Sequence, residues 1–340
     1  MRQLTIRFPA EFNYSTSSEV EIQFAEALAS LGLRITMWHD LQIELSRLYR
    51  DGVDAQFLFD LTNTTYVAFE QLATLHVLGT FCFRATHSYV LVRFPEFSRL
   101  VNRFLFPYNF FDFFADWGTT LTPIKDPADD LPLAPLLPLT RIATFNDVQH
   151  TASVLKKPKY ERAMQKHFQV TDAQRNRLVD TIISEVCDNI PFHSGSDGLI
   201  AIQAHVAKPN IEVPKDYKPN VDILVCDCGV GILQTLRTRD SKYARASSIS
   251  ALNDVFDGNV PKPGGRMRGG LSRVRAAVRQ FDGVFEIQTP FAIGTALRQS
   301  QPSYRGRPYF FPGTHVLLKI PLPHAVVAQS MEGDHAKSTL

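Results

Sequence analysis

Cysteine is scarce in this chain. Only Cys82, Cys187, Cys226 and Cys228 occur in 340 residues, which excludes the dense disulfide framework of a small secreted domain. Three of the four fall inside apolar segments, where a thiol behaves as a small buried hydrophobe, and Cys226-x-Cys228 is too short and solitary for a zinc site. Neither sign of charge is in excess: Lys+Arg 36 against Asp+Glu 34 leaves a net charge of +2, so no global field recruits nucleic acid or an anionic membrane. No stretch of 18 apolar residues is present, and the opening MRQLTIRFPAEF has neither a long apolar core nor a small-residue cleavage signal. The string GxxxxGK[ST] is absent, which excludes a P-loop enzyme. Internal repeats and low-complexity tracts are also missing. These absences predict a cytoplasmic protein with no membrane partner.

What is present reads as α/β. LTIRF (4–8), LRITMW (33–38), AQFLFDL (55–61) and SYVLVRF (88–94) are predicted strands. Residues 17–31, 40–50 and 66–83 carry helical periodicity, with Gly32 as a C-terminal stop. Strands alternating with helices imply a layered α/β domain over 1–120. The segment 121–141 is proline-dense, with an apolar Pro-Leu-Leu-Pro stretch, and is predicted to be a linker or strap without regular structure. A second α/β domain follows over 142–325, and 326–340 is expected to be a disordered tail.

In the second domain, Thr171 and Gln174 form a capping box that opens a helix. Leu178, Val179, Ile182, Ile183, Val186 and Ile190 make its apolar stripe. Glu185 and Asn189, spaced i, i+4, share another face. Pro191 is expected to end or kink the helix before His193. Strands at 199–206 and 221–227 follow, the second ending in Asp227-x-Gly229-x-Gly231 with Ile232 resuming the apolar pattern. A lid-like region is expected to about 263, then a helix over 270–280 and strands at 284–289 and 315–320. Residues 264–275, GGRMRGGLSRVR, form a glycine- and arginine-rich loop running into a helix, whose N-terminal amides suit phosphates. Residues 312–321, PGTHVLLKIP, open a strand with Gly-Thr.

These four segments, in this order, resemble the GHKL ATPases: histidine kinases, gyrase-type ATPases, Hsp90-like chaperones, MutL-like proteins and, nearest, anti-sigma-factor serine kinases. The resemblance covers about half the chain and implies a Bergerat-type α/β sandwich, with a mixed sheet under the helices, that binds ATP and Mg2+. By that resemblance Glu185 is the catalytic base and Asn189 the magnesium ligand. Asp227, assisted by Thr314, reads the adenine amino group. Gly229, Gly231 and Ile232 form the turn beside it. Gly269, Gly270 and Leu271 wrap the triphosphate, with Arg266 and Arg268 adding phosphate contacts. The chemistry fits: a carboxylate of suitable pKa and reach serves as a general base, and magnesium prefers hard oxygen ligands. The implied function is ATP hydrolysis, or phosphoryl transfer to a serine or threonine of a protein, in bacterial-type regulation. The alternative is a non-catalytic, ATP-responsive interaction module. No histidine-bearing dimerisation helix precedes residue 170, since 155–170 is short and charged, which argues against autokinase activity.

In the first domain, DLTNTTYVAFEQLATL (60–75) after a strand resembles the strand-turn-helix of STAS domains. The positions of the phosphorylatable motif in that family are held here by Ala68, Phe69, Glu70 and Gln71, so a partner-switching serine is missing. The run NRFLFPYNFFDFFADW places many rings close together, either as core or as a surface for a protein partner or a homodimer. Arg237, Arg239, Arg245, Arg273, Arg275 and Arg279 are material for a nucleic-acid surface, but the near-neutral chain argues against that partner.

Overall fold

The computed structural model describes residues 2–13, 15–33, 41–95, 105–122, 135–158, 160, 162, 171–205, 219–260 and 270–321. The strand predicted at 33–38, most of the 121–141 segment, Arg266, Arg268, Gly269 and the 326–340 tail lie outside these residues.

The first unit is a parallel sheet. Strands β1 (Arg2–Arg7), β3 (Ala55–Asp60), β5 (Val90–Arg93) and β6 (Gly118–Thr120) lie in that order, and every pairing is parallel. Parallel pairing needs crossovers. These are supplied by α1 (Ser17–Ser30), α2 (Leu41–Asp51), α3 (Phe69–Thr86) and the short α4 (Phe110–Phe114). A small parallel pair, β2 (Glu11–Phe12) with β4 (Tyr66–Val67), lies apart from the main sheet.

The second sheet has seven strands. β7 (Leu137–Ile142), β8 (Gly198–His205), β9 (Asn220–Asp227), β10 (Val284–Thr289), β11 (Ala292–Leu297), β12 (Ser303–Gly306) and β13 (Thr314–Pro321) pair in the order β12-β11-β10-β13-β9-β8-β7. Every pairing is antiparallel, so the mixed sheet expected for this half is not what forms. The prolines also mislead in part. Leu137–Ile142, inside the segment expected to be irregular, is an edge strand whose register slips between Leu137 and Thr140. Pro138 lies in that slip, the kind of place where a sheet tolerates a missing N–H.

Both faces of this sheet are covered, which explains its near-continuous apolar strands. Ile200, Ile223, Val225 and Leu318 pack under the helices of the second half. Leu199, Ala201, Leu224 and Cys226 point the other way and join one core with the first unit. The element that fills the gap is α3, which touches β3 and β5 on one side and β9 on the other. Fourteen of its eighteen residues are buried, as a helix wrapped on all sides must be. The two halves therefore share a continuous apolar core.

The aromatic run is part of that core. Phe110, Phe113, Phe114 and Trp117 are buried; Trp117 meets Phe110 and Phe114 edge-to-face and Phe113 meets His76 in the same way, so they are not available as a dimer surface. Trp117 Nε1 donates to His76 Nδ1 at 3.2 Å. Burial pulls the His76 imidazole down to about 4, which keeps it neutral and able to accept. All four cysteines are free and buried, as their apolar settings predict. Among the described residues no helix is long and apolar enough to cross a membrane.

Candidate functional site

The capping box forms as expected: Thr171 Oγ1 accepts from the Gln174 amide, and Gln174 Oε1 accepts from the Thr171 amide. The helix it opens changes winding along its length. Beyond α5 (Phe145–Leu155) and α6 (Asp172–Asn176) come a π-helical stretch Arg177–Ile183, a short α7 (Ser184–Cys187) and a second π turn, Ile190–Ser194. Wide turns of this kind cluster at functional sites. The six stripe residues are all buried, while Glu185 and Asn189 are half-buried. Pro191 does not stop the chain before His193. The winding widens instead and runs to Ser194, ending at Gly195 with φ +68°.

The four segments meet around one cavity of about 560 Å³. Its wall includes Glu185 and Asn189 from the helix, Asp227, Gly231 and Ile232 from the end of β9, and Gly270 and Leu271 from the start of α10 (Gly270–Gln280). Thr314, paired with Asp227 across the sheet, completes it. Helices α8 (Gly231–Arg237) and α9 (Ser248–Asp257) close the flank. The region expected as a lid carries the end of α8, a 3-10 turn at Ser241–Tyr243 and α9, with Ala251, Leu252, Val255 and Phe256 buried.

Asp227 is a buried carboxyl on the cavity wall. Burial pushes its carboxyl up to about 7, against hydrogen bonds from the Gly229 amide at 2.7 Å and from the Thr314 backbone and hydroxyl. Asn189 Nδ2 donates back to the Glu185 carbonyl at 2.7 Å and the Val186 carbonyl at 3.2 Å. With its nitrogen engaged, the carboxamide oxygen is the atom it can offer a cation. Among the described residues no group of three or more His, Cys, Asp or Glu could hold a metal, so a magnesium ion here would depend on Asn189, water and ligand oxygens. Glu185 forms an ion pair with Arg273.

Two glycines have steric reasons for being there. A Cβ on Gly229 would lie 2.0 Å from the Ser194 carbonyl oxygen, so this residue admits the turn after the π segment. It does not line the cavity, contrary to the expected role beside a flat ligand. A Cβ on Gly270 would lie 2.3 Å from Glu185 Oε2, which sets how closely α10 approaches the carboxylate.

Arg273, Asp188, Phe192 and Arg239 also stand on the cavity wall and were not among the expected site residues. For Arg273 the available signal was its i, i+3 spacing from Gly270, which puts both on one helix face. Four of the other arginines named for nucleic acid, Arg237, Arg239, Arg275 and Arg279, are engaged within the chain. Arg237 donates to the Ala246 carbonyl, Arg239 to the Phe192 carbonyl, and Arg275 pairs with Asp257. His193 borders the cavity, and its carbonyl accepts from Thr235. No protein family, no curated protein and no solved structure matches the chain.

Proposed function

We propose that this chain is a GHKL-type Mg-ATP-binding protein that hydrolyses ATP or transfers its phosphoryl group to a protein hydroxyl, with a STAS-like unit preceding a Bergerat-type domain. The observation that carries this reading is the convergence of Glu185, Asn189, Asp227, Leu271 and Thr314 on one cavity large enough for a nucleotide. In its ionised form Asp227 accepts from the adenine amino group, and the hydroxyl of Thr314 supports that edge. The Asn189 oxygen holds magnesium. The amides at the start of α10 face the phosphates, where the helix dipole favours negative charge. Glu185 takes the proton from the attacking hydroxyl or water. ATP would supply the γ-phosphoryl group, its bond to the bridging oxygen breaking as the new P–O bond forms so that ADP leaves, and magnesium when bound would screen the phosphate charge.

A second reading, the non-catalytic ATP-responsive module, is favoured by one contact: Arg273 holds the Glu185 carboxylate, which occupies the group that must reach the attacking hydroxyl or water. Incubation with radiolabelled ATP and magnesium separates the two. Released phosphate or labelled protein supports catalysis, and tight binding with neither supports the module.

A further inference from the structure

The loop that brings Thr314 to Asp227 is fastened to the first unit of the chain. It runs from Arg307 to Gly313, between β12 and β13. Phe310 packs on Phe81 of α3, with ring centroids 5.6 Å apart. Arg307 is 95% buried, stacks its guanidinium 4.3 Å over the Phe311 ring, and places Nη2 2.5 Å from Oε1 of Glu21 on α1. Phe311 lies 5.1 Å from the ring of His315, the residue after Thr314.

Arg307 is an expensive side chain to bury. Its Nε and Nη1 have no hydrogen-bond partner, and burial lowers its pKa. A guanidinium in that setting is held in place by its one carboxylate partner, because an uncompensated buried charge is strongly unfavourable. The far end of the loop has equally little slack: a Cβ on Gly313 would lie 1.8 Å from the Asp227 carbonyl oxygen. A shift of the loop therefore moves Thr314 against Asp227.

We propose that Glu21 and Arg307 are positioning residues for adenine recognition, through which α1 of the first unit sets the loop that delivers Thr314 to Asp227. This rests on the nucleotide reading above. The test is titration calorimetry of the full chain with Mg-ATP and Mg-GTP, on wild type, Glu21→Gln and the charge-retaining Glu21→Asp, with folding checked by circular dichroism. Glu21→Gln should weaken ATP binding about tenfold and leave the weak GTP binding unchanged, so base selectivity falls by the same factor; Glu21→Asp should lie between. Without nucleotide, amide exchange in peptides spanning 308–318 should accelerate while 270–280 is unchanged. An unaltered ATP/GTP ratio in a folded variant overturns the proposal alone. If Glu21→Gln does not fold, Glu21→Asp carries the same comparison. Wild type that binds neither nucleotide removes the parent reading, and this proposal falls with it.

Discussion

Asp227 combines two demands that oppose each other. Reading an adenine amino group needs an ionised acceptor, yet burial raises the carboxyl to about 7 from a usual 3.8. A carboxyl whose folded pKa lies above its unfolded value stabilises the fold fully below the unfolded pKa and loses that contribution as pH rises through the folded one. Asp227→Asn, which mimics the neutral acid, should therefore raise the melting temperature of the nucleotide-free protein by a few degrees at pH 8 and leave it nearly unchanged at pH 4. The same variant should weaken ATP by about 2–3 kcal/mol, the range for losing a charge-assisted hydrogen bond. Melting curves at the two pH values, with calorimetry at the higher, check both signs. For Glu185, replacement by Ala should leave ATP affinity within a few-fold and lower turnover by roughly 100-fold or more. Equal turnover in the variant removes Glu185 from the base role, and ATP binding with no turnover in either protein moves the chain to the module reading. The Asp227–Thr314 pair was legible in the sequence because each sits at a strand end marked by glycine. The Glu185–Arg273 pair spans a similar stretch of chain but was less legible, because no turn glycine flanks Arg273 and its only local signal is the i, i+3 spacing from Gly270.

At the scale of elements, α10 is informative because its first residue touches the candidate base. Gly270→Ala adds a Cβ 2.3 Å from Glu185 Oε2. The group displaced is the far end of a flexible side chain, and Ala gains up to about 1 kcal/mol of helix propensity over Gly. Stability should therefore hold within about 2 °C while turnover falls tenfold or more, since small misplacements of a reacting group are costly. Thermal melts run beside steady-state assays test that split. Elements were legible where a single period ran unbroken, as in 17–31, 55–61, 221–227, 270–280 and 284–289, and less so where proline or loop-like composition interrupted it. Residues 248–257 fall in the expected lid, although Ala251, Leu252, Val255 and Phe256 keep helical spacing, Ser247 caps the start and Gly258 closes the end in a left-handed conformation. The edge strand at 137–142 was obscured because proline content speaks against a central strand and is compatible with an irregular edge.

At the scale of the whole molecule, the shared core separates this chain from two domains on a tether. Leu199, Ala201, Leu224 and Cys226 are shielded by the first unit, and no single segment announces that partnership. One cooperative calorimetric unfolding transition is expected in place of two, and Phe310→Ala should cost about 3–5 kcal/mol by opening a cavity at the junction. Two resolved transitions would show that the halves unfold independently. The central claim is that the cavity between the helices and the seven-stranded sheet holds Mg-ATP through Asp227. It is tested most directly by calorimetric titration of the full chain with Mg-ATP beside Mg-GTP, on wild type and Asp227→Asn. The account predicts one ATP site per chain, much weaker GTP binding, and ATP affinity lowered roughly 30- to 150-fold by the substitution. Wild-type protein that binds neither nucleotide, or binds both equally with no effect of Asp227→Asn, would contradict it.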